Sequence, residues 1–188
     1  MTNMEYEALC ERIDRLLSEK ETAAVSIDGD SCAGKTTLAA MLSERYGVDV
    51  IHMDDFYLPL FLRTPERYKE PGGNVHRERF LLEVVPHLHD GAAFSYGILS
   101  TADFQIHEFR RIGASRLRIV EGSYSQHPSL RENYDLTVFL KASEKEQRDR
   151  VVKRNGEEKL NDFLNRWIPL EKAYHKAFCV EENADLII

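Results

Sequence analysis

The spacing of apolar residues along the chain predicts helices that alternate with short buried strands. Leu9, Ile13, Leu16 and Leu17 recur at intervals of one to four residues, which predicts an amphipathic helix over about residues 4 to 20. Five other runs are short, apolar and rich in β-branched residues, as buried parallel strands are. They cover residues 23–27, 48–53, 116–122 and 136–140 and the closing ADLII.

The stretches between these strands predict helices and one irregular segment. Helical patterns cover about residues 35–46, 78–88, 143–155 and 158–180. The segment AAFSYGILSTADFQIHEF mixes aromatic and β-branched residues, which predicts a small hairpin or lobe. Strands that alternate with helices indicate an α/β fold, with a parallel sheet covered by helices on both faces. We expect a single domain over residues 1–188, with an inserted acceptor-binding segment at about 62–112.

Composition and charge narrow the class of partner. The 188 residues include 25 basic and 32 acidic side chains, which gives a net charge of -7. This charge disfavours nucleic acid and anionic membranes as partners, so an anionic ligand needs a local positive site. No run approaches the roughly 18 apolar residues of a membrane span. Three widely spaced cysteines form neither a zinc pattern nor a disulfide framework, which predicts a reducing, cytoplasmic setting.

The stretch GDSCAGKTT fits the phosphate-binding pattern G-x-x-x-x-G-K-[ST], known as the Walker A motif or P-loop. It lies between a predicted strand and a predicted helix, as the motif requires. Its glycines let successive backbone N–H groups face one anion, and the helix N-terminus adds partial positive charge. Lys35 would reach the β- and γ-phosphates, and the Thr36 hydroxyl would bind Mg²⁺. The expected nucleotide-binding residues are Gly29, Asp30, Ser31, Cys32, Ala33, Gly34, Lys35, Thr36 and Thr37.

Two adjacent carboxylates, Asp54 and Asp55, follow the second predicted strand in MDDFYLP. The carboxyl ends of parallel strands face the ligand crevice. One of these aspartates would orient the proton of an attacking hydroxyl, and the other would cap a turn or help to hold Mg²⁺. Phe56 and Tyr57 would form the wall of a small-molecule pocket. The competing interpretation is an aspartate pair that caps a short helix, with both aromatic rings in the core.

The third strand ends at Glu121 in RIVEGSY, near the position where an acidic residue acts on Mg²⁺ in P-loop proteins. The alternative is a glutamate in solvent. Further along the chain, Arg150 and Arg154 are four residues apart and share a helix face. With Arg166 they indicate a lid over about residues 148–166, whose arginines would neutralise charge on a transferred phosphoryl group. A solvated helix face paired with glutamates is the alternative.

These motifs stand in one order from residue 23 to the C-terminus, and together they resemble the uridine kinase family of P-loop kinases. The resemblance rests on GDSCAGKTT, DDFYLP, VEG, the arginine-bearing lid and ADLII. It implies a five-stranded parallel sheet in the order 2-3-1-4-5, with ATP and Mg²⁺ as cofactors. It also implies Asp54 as the general base, with Thr36, Glu121 and Asp54 around the metal. Arg150, Arg154 and Arg166 match the lid arginines of the family, which act with Lys35.

The acceptor half departs from the pattern of the family. Members carry an Asn-x-Asp segment whose aspartate holds the ribose hydroxyls, whereas GGNVHRERF places His76 there. The base-reading hairpin of the family corresponds to FSYGILSTADFQIHE, in which Tyr96 and His107 are the candidates. We therefore expect Asp54, Tyr57, His76 and Tyr96 to contact the acceptor.

The predicted function is transfer of the γ-phosphoryl group of ATP to a hydroxyl of a small molecule, a nucleoside such as uridine or cytidine. A sugar, a vitamin precursor or an organic acid is the alternative acceptor, which His76 favours. A non-catalytic nucleotide-binding module is a second alternative, opposed by intact Lys35, Thr36, Asp54 and Glu121. A GTPase is disfavoured because LKAS stands after the fourth strand in place of a guanine-reading Asn-Lys-x-Asp. A monomer and a homo-oligomer both fit the sequence.

Overall fold

The computed structural model describes residues 1–188. In chain order its elements are α1 (Asn3–Glu19), β1 (Ala23–Gly29), α2 (Lys35–Tyr46), β2 (Val50–His52), α3 (Pro65–Lys69), α4 (Arg77–Glu83), β3 (Phe94–Leu99), β4 (Ile106–Ile112), β5 (Leu117–Glu121), α5 (Pro128–Arg131), β6 (Leu136–Leu140), α6 (Glu144–Asn155), α7 (Glu157–Asp162), α8 (Ile168–Phe178), α9 (Val180–Asn183) and β7 (Leu186–Ile187). Short 3₁₀ turns cover Met53–Phe56, Leu60–Leu62 and Val85–His87, and a π-helical turn at Phe163–Trp167 joins α7 to α8.

Five strands form a parallel sheet in the order β2-β5-β1-β6-β7. When only these strands are counted along the chain, the order is 2-3-1-4-5, which confirms the predicted α/β fold. The central strand, β1, pairs with β5 on one side and β6 on the other, and all of its residues are buried. The mixed segment forms a separate antiparallel hairpin of β3 and β4.

Apolar residues cover both faces of the sheet in two clusters. Along β1, Ala24 belongs to one cluster, whereas Val25 and Ile27 belong to the other. Successive side chains of a strand point to opposite faces, so the two clusters lie on opposite sides of the sheet. One contains residues of α1 and α2, and the other contains residues of α4, α8 and the hairpin. No helix combines the length and the apolar character that crossing a membrane requires.

Three element boundaries differ from the sequence-based expectation. The helix expected to reach residue 88 ends at Glu83, because Pro86 has no N–H to continue the α-helical hydrogen bonds, and Val85–His87 forms a 3₁₀ turn instead. The second strand ends at His52, since Met53–Phe56 forms a 3₁₀ turn. The helix expected over residues 158–180 is divided by the π-helical turn into α7 and α8.

A fully buried carboxylate, Asp28, connects three parts of the fold. Its Oδ1 accepts a hydrogen bond from the backbone N–H of Gly29 at 2.7 Å. Its Oδ2 accepts from the N–H of Gln126 at 3.1 Å and from the hydroxyl of Tyr174 at 2.9 Å. Asp28 thus fixes the end of β1, the loop after β5 and helix α8 relative to one another.

We expect Asp28→Ala to lower the free energy of unfolding by about 3 kcal/mol, because it leaves buried donors without an acceptor. Tyr174→Phe removes one of the three hydrogen bonds and leaves no donor unpaired, so the expected loss is about 1 kcal/mol. Denaturant titration of both variants measures the difference. Equal losses of unfolding free energy in the two variants would show that the Asp28 carboxylate does not connect these three parts of the fold.

Candidate active site

A cleft with a volume of about 870 Å³ opens at the carboxyl edge of the sheet. The segments that follow β1, β2 and β5 line it, and α6, the π-helical turn and α8 form the remaining wall. Ligand sites of open α/β sheets are found at this edge. The fold therefore brings the separate sequence motifs to one place.

The loop after β1 has the backbone conformation of an anion cradle. Gly29 has φ +135°, and a Cβ added there would lie 2.2 Å from the carbonyl oxygen of Leu140. Gly34 precedes α2 in the left-handed region, and no side chain caps the first turn of that helix. The N–H groups of this turn are therefore free to face an anion. Burial raises the pKa of the Cys32 thiol in this loop against the opposing charges of Arg154 and Lys35, so the thiol is not activated.

Lys35, Thr36 and Glu121 converge at the base of the cleft. The ammonium of Lys35 donates to the carbonyl oxygens of Gly29 and Asp30 at 2.7 and 2.9 Å. The Thr36 hydroxyl donates to Oε2 of Glu121 at 3.3 Å. The Glu121 side chain is only 7% exposed, and its Oε1 lies 2.6 Å from a ring nitrogen of His52. This pair of oxygen ligands suits Mg²⁺, which takes one or two protein oxygens and completes its shell with phosphate and water.

The two adjacent aspartates have different surroundings. Asp54 lines the cleft and accepts a hydrogen bond from the Tyr57 hydroxyl at 3.0 Å. Desolvation by the surrounding protein raises the pKa of its carboxyl, and the Tyr57 hydrogen bond opposes the shift. Asp55 is buried, and its Oδ2 accepts from the Tyr96 hydroxyl and from Nε of Arg110, both at 2.9 Å. Asp54 is thus available to a ligand, while Asp55 anchors the hairpin.

Two of the three predicted lid arginines line the cleft. Arg150 donates to the carbonyl oxygens of Cys32 and Ala33 at 3.1 and 3.3 Å, and so lies against the phosphate-binding loop. Arg154 lines the cleft beside the ring of Phe163. Arg166 does not line it, because its guanidinium stacks on the ring of Trp167 at 4.6 Å from the centroid.

Two predicted acceptor contacts lie outside the cleft. His76 caps α4, where its Nδ1 accepts from the N–H of Arg79 at 3.3 Å. Tyr96 is buried, and its hydroxyl both donates to Asp55 and accepts from the N–H of His52. In this structure both side chains serve the packing of the inserted segment. Tyr57, the remaining acceptor candidate beside Asp54, does line the cleft.

Other residues of the cleft were not expected from the sequence. They are Asn74, Ser123, Tyr124, Lys153, Phe163, Trp167 and Glu171. Tyr124 has φ +74°, which is unusual for a bulky residue and marks a strained position beside the site. Asn74 and Ser123 lie close to recognised motifs, so proximity could have pointed to them. No sequence motif pointed to Glu171, because 140 residues separate it from Ser31, its hydrogen-bond partner in the P-loop.

The chain matches no protein-family model and no curated relative. Its fold is found in solved structures. One is titled a possible uridine kinase from Bacillus stearothermophilus, with a TM-score of 0.68, 22% identity, and 96% of this chain and 99% of that chain covered. Another is a candidate fructose transport system kinase from Silicibacter, with a TM-score of 0.75, 21% identity, and 100% and 99% covered. The chain therefore has the fold of the uridine kinase-like P-loop proteins, as the motifs indicated.

The two aspartates should respond to substitution in opposite directions. The pKa of Asp54 is raised above its ordinary 3.8, so the ionised carboxylate destabilises the folded chain once pH exceeds that range. We expect Asp54→Asn to raise the thermal midpoint at pH 7, with the gain shrinking as pH falls toward 4. Asp55→Asn should instead cost about 2 kcal/mol, because it breaks the ion pair of the buried Asp55 carboxylate with the half-buried Arg110. Thermal unfolding at both pH values checks this, and loss of stability in both variants would contradict it.

Proposed function

We propose that this chain is an ATP-dependent kinase that phosphorylates a hydroxyl group of a small molecule, with a nucleoside such as uridine or cytidine as acceptor. The observation that carries the proposal is that Asp54 lines the same cleft as Lys35, Thr36 and Glu121. A phosphate-binding loop alone would fit an ATPase or a GTPase equally well. An accessible carboxylate in the same cleft as that loop adds a group that can receive a proton from an acceptor.

The transfer step follows from the positions of these groups. The P-loop N–H groups and Lys35 bind the triphosphate of ATP. Asp54 accepts the proton of the acceptor hydroxyl, whose oxygen forms a bond to the γ-phosphorus. The bond from that phosphorus to the β–γ bridging oxygen breaks, and ADP leaves. Arg150 and Arg154 neutralise the charge that spreads over the transferred group.

Thr36 and Glu121 would hold Mg²⁺ in this kinase. Their oxygens are 3.3 Å apart at the base of the cleft, on the side where the P-loop helix begins. The ion would supply charge neutralisation for the phosphates. The hydrogen bond between the two side chains keeps both oxygens directed toward one point.

A sugar is the second candidate for the acceptor. The position of Tyr96, buried beneath Asp55 and away from the cleft, favours it, because a nucleobase then lacks the aromatic contact expected from the hairpin. The sugar-kinase title of one structural neighbour is in line with this alternative. Both candidates use the same donor site and the same base.

Release of ADP from Mg-ATP in the presence of uridine, cytidine, other nucleosides, fructose, pantothenol and pantothenate tests the proposal. We expect one neutral hydroxyl compound to stimulate release, and we expect Asp54→Asn to lower kcat by a factor of about 10² to 10⁴, the usual contribution of a general base. The variant should still bind ATP. Binding of ATP with no stimulation by any acceptor would favour a non-catalytic nucleotide-binding module.

The pH dependence of the reaction gives a second test. Only the ionised form of Asp54 can accept a proton, so kcat/KM should fall as pH decreases through its raised pKa. Tyr57→Phe removes the hydrogen bond that stabilises the ionised form. The acid limb of the profile should then move to higher pH, by up to about one unit. An unchanged acid limb would assign the titration to another group.

A further inference from the structure

A buried carboxylate in the cleft has no cationic partner. Glu171 of α8 is 9% exposed and lines the cleft. Its Oε2 accepts from the Ser31 hydroxyl at 2.5 Å, and its Oε1 accepts from the Ser123 hydroxyl at 2.8 Å. The ion pairs of α8 are made by Lys172 and His175 instead. Only two neutral hydroxyl groups therefore stabilise the Glu171 carboxylate, although burying an unpaired charge costs free energy.

The hydrogen-bonding capacity of Glu171 is only half used. An ionised carboxylate can accept about four hydrogen bonds, and the two serines provide two. The remaining lone pairs belong to a side chain that borders the cleft, so a ligand with donor groups can fill them there. Tyr57 and Tyr124 line the same cleft as Glu171.

The positive and negative side chains of the cleft come from different secondary-structure elements. Its cations come from the P-loop and α6: Lys35, Arg150, Lys153 and Arg154. Its carboxylates come from the turn after β2, the end of β5 and α8: Asp54, Glu121 and Glu171. The nearby arginines of the inserted segment are already bound to carboxylates or carbonyl oxygens: Arg67, Arg77, Arg79 and Arg110. An anionic acceptor that approached these three carboxylates would therefore meet like charge.

We propose that Glu171 is an acceptor-binding residue, which receives hydrogen bonds from hydroxyl groups of an uncharged substrate and rejects carboxylated and phosphorylated ones. This inference rests on the proposed kinase function and specifies its substrate class. Ser31 and Ser123 hold the carboxylate at the border of the cleft from two sides. The site then combines a base that activates one hydroxyl, Asp54, with a carboxylate that positions others.

The test compares matched acceptors that differ by one anionic group. The pairs are uridine with uridine 3′-monophosphate, fructose with fructose 6-phosphate, and pantothenol with pantothenate. We expect the wild-type protein to use an uncharged member at least ten times more efficiently than its anionic partner. Efficient use of the anionic member would overturn the inference and leave the kinase function standing.

Three variants separate substrate binding from support of the P-loop. Glu171→Gln keeps the shape of the side chain, and it should raise KM for the acceptor about tenfold, narrow the preference for uncharged acceptors and change KM for ATP less than threefold. Glu171→Asp keeps the charge, so it should retain that preference. Ser31→Ala is the comparison variant: it removes the P-loop contact of Glu171 and keeps the carboxylate, so KM for the acceptor should rise less than in Glu171→Gln.

The contrary outcomes are distinct. If Glu171→Gln and Ser31→Ala raise KM for ATP equally and leave KM for the acceptor unchanged, Glu171 only supports the loop and the inference is wrong. If the wild-type protein binds Mg-ATP in a direct titration and no acceptor of either charge stimulates ADP release, the proposed function fails and the inference fails with it. Thermal midpoints of all three variants establish that each is folded.

Discussion

The close approach of the end of β1 to β6 is the constraint on which the site depends. Gly29 lies so near the carbonyl oxygen of Leu140 that no side chain fits, and the chain must turn there with a positive φ. Asp28 holds this turn from inside the core through three hydrogen bonds. The P-loop that follows therefore starts from a fixed point, and its N–H groups take their directions from that point.

Helix α8 extends the same constraint to the other side of the cleft. Glu171 contacts Ser31, and Tyr174 contacts Asp28, so successive turns of the helix are joined to the segment around the P-loop. Apolar packing of Tyr174 in the core supports these polar contacts. By contrast, α6 and α7 expose most of their residues. The π-helical turn before α8 thus separates an exposed part of the lid from a part that belongs to the frame, and it directs Phe163 and Trp167 to the cleft.

The grouping of the P-loop residues at the cleft could be predicted from the sequence, because they are adjacent in the chain and follow a known spacing. Strands and the order of the sheet followed from the apolar pattern for a similar reason, since each strand is a local signal. The other side of the cleft could not be predicted in this way. Asn74, Ser123 and Glu171 come from three distant segments, and only tertiary packing brings them together. His76 and Tyr96 were wrongly expected at the cleft for a related reason. The sequence does not reveal that His76 caps α4 or that Tyr96 holds the hairpin through Asp55.

An acidic chain with a net charge of -7 can still bind a triphosphate, because the decisive fields are local. A helix N-terminus and four cations line the cleft, while most surface charges are screened beyond about 8 to 10 Å. The carboxylates on the other side then have a cost in the free chain, since like charges share a partly desolvated space. In the proposed kinase, a bound metal ion and hydroxyl donors would relieve this cost. The raised pKa of Asp54 expresses the same cost, because the surroundings that disfavour its ionised form favour its protonated form.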